Sequence, residues 1–221
     1  MCKNREEDTI CDYGIEIIEG QKGRFYCMNI IGQVEGHSVL PSDSKTTKYE
    51  HLLPLLVKIQ EDKNIDGLLI ILNTMGGDVE AGLAISEMIA GMTKPTVSLV
   101  IGGGHSIGIP LAVSAEYSFI TPTATMMVHP VRITGMLISS PQTFNMLEKM
   151  QKRVNQFIVG HSSITEDRLT NIMMNTDALS NDVGTILSGE EAVRCGLINR
   201  VGGISDAIQQ LYTLCEERKN K

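Results

Sequence analysis

DGLLIILNTMGGDVEAGLAISEMIAGM, residues 66–92, decides the fold class. Its first part, DGLLIILN (66–73), is an unbroken apolar run of the kind buried on both faces of a parallel sheet. Met75-Gly76-Gly77 reads as a turn, and DVEAGLAISEMIAGM (78–92) as a helix with Asp78 at its N-cap. The unit then repeats. TVSLVIG (96–102) reads as a strand, GGGH as a loop and SIGIPLAVSAE (106–116) as a helix, with short strands following near 117–120 and 124–129. Upstream, RFYCMNIIG (24–32) reads as a strand and KYEHLLPLLVKIQED (48–62) as a helix, in which Pro54 must lie early or cause a kink. This βαβαβ order predicts an α/β protein with a mostly parallel sheet, right-handed crossovers and helices on its faces.

After His129 the alternation stops. Residues 130–140, PVRITGMLISS, are apolar, and Ser140-Pro141 opens a long helix running to Gly160. Lying outside the βα pattern, that helix is expected to project from the globule and to meet another copy of the chain. Further helices are expected at about 165–175, 189–195 and 204–218. The charged start, residues 1–13, reads as a flexible arm, and 14–221 as a single domain, the size of one α/β core.

Composition narrows the function. Of 221 residues 42% are hydrophobic and 20% charged, with a formal charge of -7, which disfavours binding along phosphate backbones. Nucleic acid is therefore not an expected partner. No segment reaches the roughly 18 apolar residues of a membrane span, and the start lacks a signal-peptide core, so a cytoplasmic location is expected. Cys2, Cys11, Cys27, Cys195 and Cys215 show no C-x-x-C spacing and read as free or buried thiols rather than zinc ligands or disulfides. No motif calls for a metal or cofactor, and none is expected.

In an open parallel sheet ligands bind beyond the carboxyl ends of the strands. Three features fall there: Gly76-Gly77, the G-x-S-x-G match Gly104-His105-Ser106-Ile107-Gly108, and His129. A serine hydroxyl needs an imidazole to take its proton, a third group to fix that imidazole, and donors for the oxyanion. Ser106 fits the nucleophile, His129 the base, and the backbone N–H groups of Gly77 and Ile107 the donors. Taken singly, Ser106 is equally a helix N-cap and His129 equally a strand end, while Gly76-Gly77 is more often a tight turn. An α/β-hydrolase elbow does not fit, because it needs an acid between Ser and His, and Glu116 and Glu148 read as helix-surface residues.

These residues carry a resemblance. LNTMGG (72–77), GGGHSIG (102–108), MMVHP (126–130) and LSGEEAVRCGLINRVGG (187–203) together resemble the proteolytic subunit of Clp protease, over about residues 24–205. The wording of GGGHSIG and MMVHPVRITG is closest to one ClpP-like branch found in spore-forming bacteria. The resemblance implies a ClpP/crotonase-like fold of repeated β-β-α units in a spiral. It further implies serine endopeptidase chemistry on polypeptides, rings of commonly seven subunits stacked through a helical handle at about 130–160, and an ATPase unfoldase of the AAA+ type as a partner. Ser106 matches the family's nucleophile, His129 its base, and Gly77 and Ile107 its oxyanion donors. One position departs: the family's catalytic Asp is replaced by Gly184, in NDVGTILSG (181–189). Asp182, Asp177 or no acid at all then completes the set.

Three functions compete on these grounds. A Ser-His(-Asp) peptidase inside a ring is carried by Ser106, His129 and Gly77. A catalytically weak or silent ring scaffold is suggested by Gly184. A crotonase-type acyl-CoA enzyme would use the glycine amides, but offers no convincing glutamate on the active-site helix.

Overall fold

The structure is a computed structural model and describes residues 15–20, 22–132, 140–176 and 183–220. Among these the expected mixed α/β architecture is present, with nine strands and seven helices. In chain order they are β1 (Ile15–Gly20), β2 (Gly23–Glu35), β3 (Thr46–Lys48), α1 (Tyr49–Glu61), β4 (Gly67–Gly77), α2 (Val79–Ala90), β5 (Thr96–Gly104), α3 (Gly108–Val113), β6 (Tyr117–Ile120) and β7 (Thr125–Val128). After them come α4 (Ser140–Gly160), α5 (Glu166–Met173), β8 (Thr185–Ser188), α6 (Gly189–Arg194), β9 (Arg200–Val201) and α7 (Ile204–Lys219).

The main sheet runs β1-β2-β4-β5-β6-β9. Only β1 is antiparallel to its neighbour; the pairs β2–β4, β4–β5, β5–β6 and β6–β9 are parallel. The apolar run of β4 explains this layout, since successive side chains point to opposite faces and both faces must be covered. Leu68, Ile70 and Leu72 pack into the larger core, with Leu56 and Ile59 of α1, Ile85 and Ile89 of α2, and Leu111 of α3. Leu69 points the other way and meets Phe25, Leu99, Phe119 and, from α7, Ala207, Leu211 and Leu214. Each fully buried leucine of this kind contributes about 1.5–3 kcal/mol.

On the edge away from β4, β5 serves two partners. Along Val97–Val100 it pairs with β6, and at Gly103 it pairs with Thr125 of β7, which is in turn antiparallel to β8. The strand end thus leaves the main sheet for a small ribbon, and that ribbon carries His129.

Several expectations need correction. β4 does not stop before the glycines; it continues through Gly76 and Gly77, which pair with Gln33 and Val34 of β2. The third helix spans Gly108–Val113 rather than 106–116, because Ser106 has φ +55°, outside the right-handed helical region. Pro54 lies within α1. The long helix α4 is present, and its second half docks on the core through the buried Val154, Phe157 and Ile158, while Phe144 and Met146 of its first half are exposed. Residues 1–13 and 133–139 fall outside the described residues, as do Cys2 and Cys11. Cys27, Cys195 and Cys215 are free thiols, the last two buried. Among the described residues no helix is long and apolar enough to cross a membrane.

Candidate active site

Gly77 at the end of β4, Ser106 in the turn after β5 and His129 after β7 line one cavity of about 200 Å³, together with Ile107. Most of the remaining wall is apolar, supplied by Val79, Ile109, Val131, Val154, Ile158 and Met173 among others, and Arg132 also lines it. The second half of α4 forms one wall and is tied to α2 by Arg153, which donates to both Glu80 oxygens at 2.5 and 2.9 Å. That guanidinium holds the Glu80 carboxyl below its ordinary range.

Ser106 is not the helix cap. Ile107 occupies the N-cap position of α3, and Ser106 precedes it as the one non-glycine residue among the described residues with positive φ. A left-handed conformation costs an L-residue about 1–2 kcal/mol, so the surrounding contacts must impose it. They do so from both sides. Ser106 N–H donates to Met127 O at 2.9 Å, and the preceding His105 N–H donates to Thr74 O at 3.1 Å. Gly76 faces the serine so closely that a Cβ there would lie 2.7 Å from Ser106 Cβ. Gly76 itself has φ +95° and Gly77 φ +149°, and a Cβ at Gly77 would fall 2.2 Å from Val34 O. Only glycine fits at this end of β4. The Ile107 N–H finds no acceptor among the described residues.

Two residues that the sequence reading passed over hold these parts together. The buried Thr74 donates from Oγ1 to Gly32 O at 2.6 Å and accepts from Gly76 N–H at 3.1 Å, while its carbonyl takes His105 N–H. His105 Nδ1 accepts the Met127 N–H at 3.0 Å, which requires a neutral ring protonated at Nε2. Burial lowers the His105 pKa, and positive charge on His129 adds to that effect. Residues 105 and 106 therefore clip both polar groups of Met127, two residues before His129. Both lie within quoted motifs, LNTMGG and GGGHSIG, but neither motif signals these roles, which are long-range hydrogen bonds.

His129 Nδ1 lies 2.7 Å from Pro130 O. A carbonyl oxygen only accepts, so Nδ1 carries the proton and the Nε2 lone pair is left free. Ser106 Oγ and His129 share the cavity without a hydrogen bond between them, and such contacts commonly tighten only when substrate binds. Gly184, at the position where the family resemblance predicts an Asp, is buried with φ +139° and abuts His129. Asp182 and Asp177 lie outside the described residues. Among the described residues no group of three or more His, Cys, Asp or Glu is placed to hold a metal ion.

Comparison with known proteins gives concordant relatives. A family model described as Clp protease matches residues 22–205. The translocation-enhancing protein TepA of Halalkalibacterium halodurans is 55% identical over 201 residues, covering 91% of this chain and 78% of that protein. Subunit 1 of the ATP-dependent Clp protease proteolytic component of Protochlamydia amoebophila is 28% identical over 137 residues, 61% of this chain and 64% of its own. The corresponding subunit 2 of Treponema denticola is 29% identical over 136 residues, 60% and 64% of the two chains. The mixed α/β sheet and its helices agree with the ClpP-like fold that these matches imply.

Proposed function

The chain belongs to the Clp protease family, and on that premise we propose that it is a serine endopeptidase cutting short or unfolded polypeptides within a ring of its own copies. The observation that carries this reading is Ser106, a non-glycine residue in left-handed backbone, on the wall of the same cavity as His129 and Gly77. Strain of this sort persists where the surroundings over-determine it, and it turns the hydroxyl out of the helix toward the cavity instead of spending it on a cap.

In this mechanism Ser106 Oγ attacks the peptide carbonyl carbon while its proton passes to His129 Nε2. The carbonyl oxygen becomes an oxyanion and accepts from the N–H groups of Gly77 and Ile107. The C–N bond then breaks, the amine leaves with the proton from His129, and water repeats the sequence on the acyl-serine to release the carboxylic acid. His129 needs its Nδ1 proton held throughout. That task falls to Asp182, to Asp177 or to no acid at all, and Pro130 O already accepts a hydrogen bond from Nδ1.

Ring assembly through the handle is supported by the exposed Phe144 and Met146 on the first half of α4, where a second copy would cover them. An AAA+ unfoldase that feeds the ring belongs to the same proposal, on the family's account alone.

A second reading, a ring that binds without cutting, is favoured by Gly184, which offers no side chain to His129. Intact mass after treatment with a fluorophosphonate separates the two. One adduct that disappears in Ser106→Ala supports the peptidase; no adduct on a protein that light scattering shows to be an assembled ring supports the scaffold.

A further inference from the structure

We propose that Gln151 is a positioning residue that fixes the Pro130–Val131 peptide plane, whose carbonyl orients the His129 base in place of a carboxylate. This rests on the reading of Ser106 and His129 as nucleophile and base.

Three observations meet at that peptide. Its oxygen side is Pro130 O, 2.7 Å from His129 Nδ1. Its nitrogen side is Val131 N–H, which donates to Gln151 Oε1 at 2.7 Å. The two groups belong to one rigid amide, so whatever holds the N–H also aims the carbonyl. Gln151 is in turn held by Asn155 one turn along α4, since its Nε2 donates to Asn155 Oδ1 at 2.7 Å. A side-chain amide with both ends engaged has a fixed orientation, and the chain Asn155, Gln151, peptide, His129 is continuous.

Position 184, where the resemblance puts the triad acid, has no room for a side chain. Gly184 N–H donates to Asn175 O at 2.8 Å, and the next residue, Thr185, begins β8 in antiparallel register with Val128. A Cβ at 184 would fall 2.5 Å from Val128 O and 2.9 Å from His129 Cβ. The carbonyl can do one of the acid's two tasks. It keeps the proton on Nδ1, so that Nε2 is free to take the Ser106 proton, but it brings no full charge to stabilise the resulting imidazolium.

The test uses the full-length protein with ¹⁵N-labelled histidine, reading the His129 tautomer by NMR and the fluorophosphonate labelling rate of Ser106. His129→Gln assigns the resonances, and thermal melts check that each variant is folded. In the wild type the neutral His129 ring is expected to carry its proton on Nδ1. Neither the tautomer nor the rate should change in an Asp177→Asn/Asp182→Asn double variant. Gln151→Ala should give a mixture of tautomers and label about 10- to 100-fold more slowly. Gln151→Glu, which still accepts from Val131 N–H, should keep the Nδ1 tautomer.

An altered tautomer, or a labelling loss toward the order of 10⁴ expected for a true triad acid, in the Asp177→Asn/Asp182→Asn variant overturns the proposal. An unchanged tautomer in Gln151→Ala does so as well. If Ser106 is not labelled in any of these proteins, the nucleophile reading fails, and the tautomers alone still decide whether Gln151 and the Pro130 carbonyl hold the ring.

Discussion

Gly184 sits against His129 so tightly that a single added carbon on it would lie 2.9 Å from His129 Cβ, and its φ of +139° is one that side-chain-bearing residues avoid. A side chain at 184 therefore has no room, and the missing acid is not a simple deletion that one substitution at this position repairs.

Gly184→Asp is accordingly expected to destabilise the protein by at least about 1–3 kcal/mol from backbone strain alone, and to bring no gain in Ser106 labelling. Urea unfolding and labelling of the same preparation check both halves. A faster, stable Gly184→Asp protein would show that the segment can open to admit an acid.

Ser106→Gly should abolish labelling and yet raise stability. Glycine adopts a φ of +55° without the roughly 1–2 kcal/mol that serine pays in the left-handed region. Ser106→Ala also loses labelling but keeps the strain. The urea midpoint of the Gly variant is expected above that of the Ala variant by the equivalent of about 1 kcal/mol at unchanged slope. Equal midpoints would mean that the strain is not stored there.

Thr74→Val removes a hydroxyl that donates to Gly32 O and accepts from Gly76 N–H in a fully enclosed position. Leaving both partners unsatisfied should cost about 1–3 kcal/mol. Because Gly76 packs on Ser106, the labelling rate should fall more than the stability change explains. Unaltered labelling in a folded Thr74→Val protein would make the threonine purely structural.

His105 gives stability a dependence on pH. Burial holds its folded-state pKa below the ordinary 6.5. The neutral ring's contribution is thus fully present above 6.5 and lost as pH falls from there through the lowered value, since the unfolded chain takes up the proton first. Protonation also removes the acceptor of Met127 N–H. Urea stability measured from about pH 7.5 to about pH 5.5 should decline on the acid side in the wild type and decline less in His105→Asn. Parallel profiles would assign the decline to other groups.

Local patterns were a good guide to the elements. The apolar run 66–73 can be satisfied only by a strand covered on two faces, and α7, through Leu211 and Leu214, is the second cover. Asp78 caps α2 by accepting from Ala81 N–H, as its position before the periodic segment suggests. The reading failed where pairing overrode local preference. Glycines usually end strands, yet Gly76 and Gly77 extend β4 because β2 continues alongside with open hydrogen-bonding groups. A serine ahead of an apolar helix usually caps it, yet Ser106 is pulled out of the helix by Met127 O.

The residues themselves thus determined an alternating α/β chain, the arrival of Gly77, Ser106 and His129 at the carboxyl ends of neighbouring strands, and the absence of an acid at position 184. Each follows from periodicity, from strand direction or from side-chain identity, which are properties of short segments. Only the tertiary structure decided the backbone sign at Ser106, the clamp of Met127 by His105, and the choice of Pro130 O as the His129 acceptor. The first two depend on hydrogen bonds to Met127 that form only once the ribbon of β7 and β8 leaves the main sheet. The third joins adjacent residues, but its peptide is held from the other side by Gln151 of α4, and no local pattern encodes such contacts.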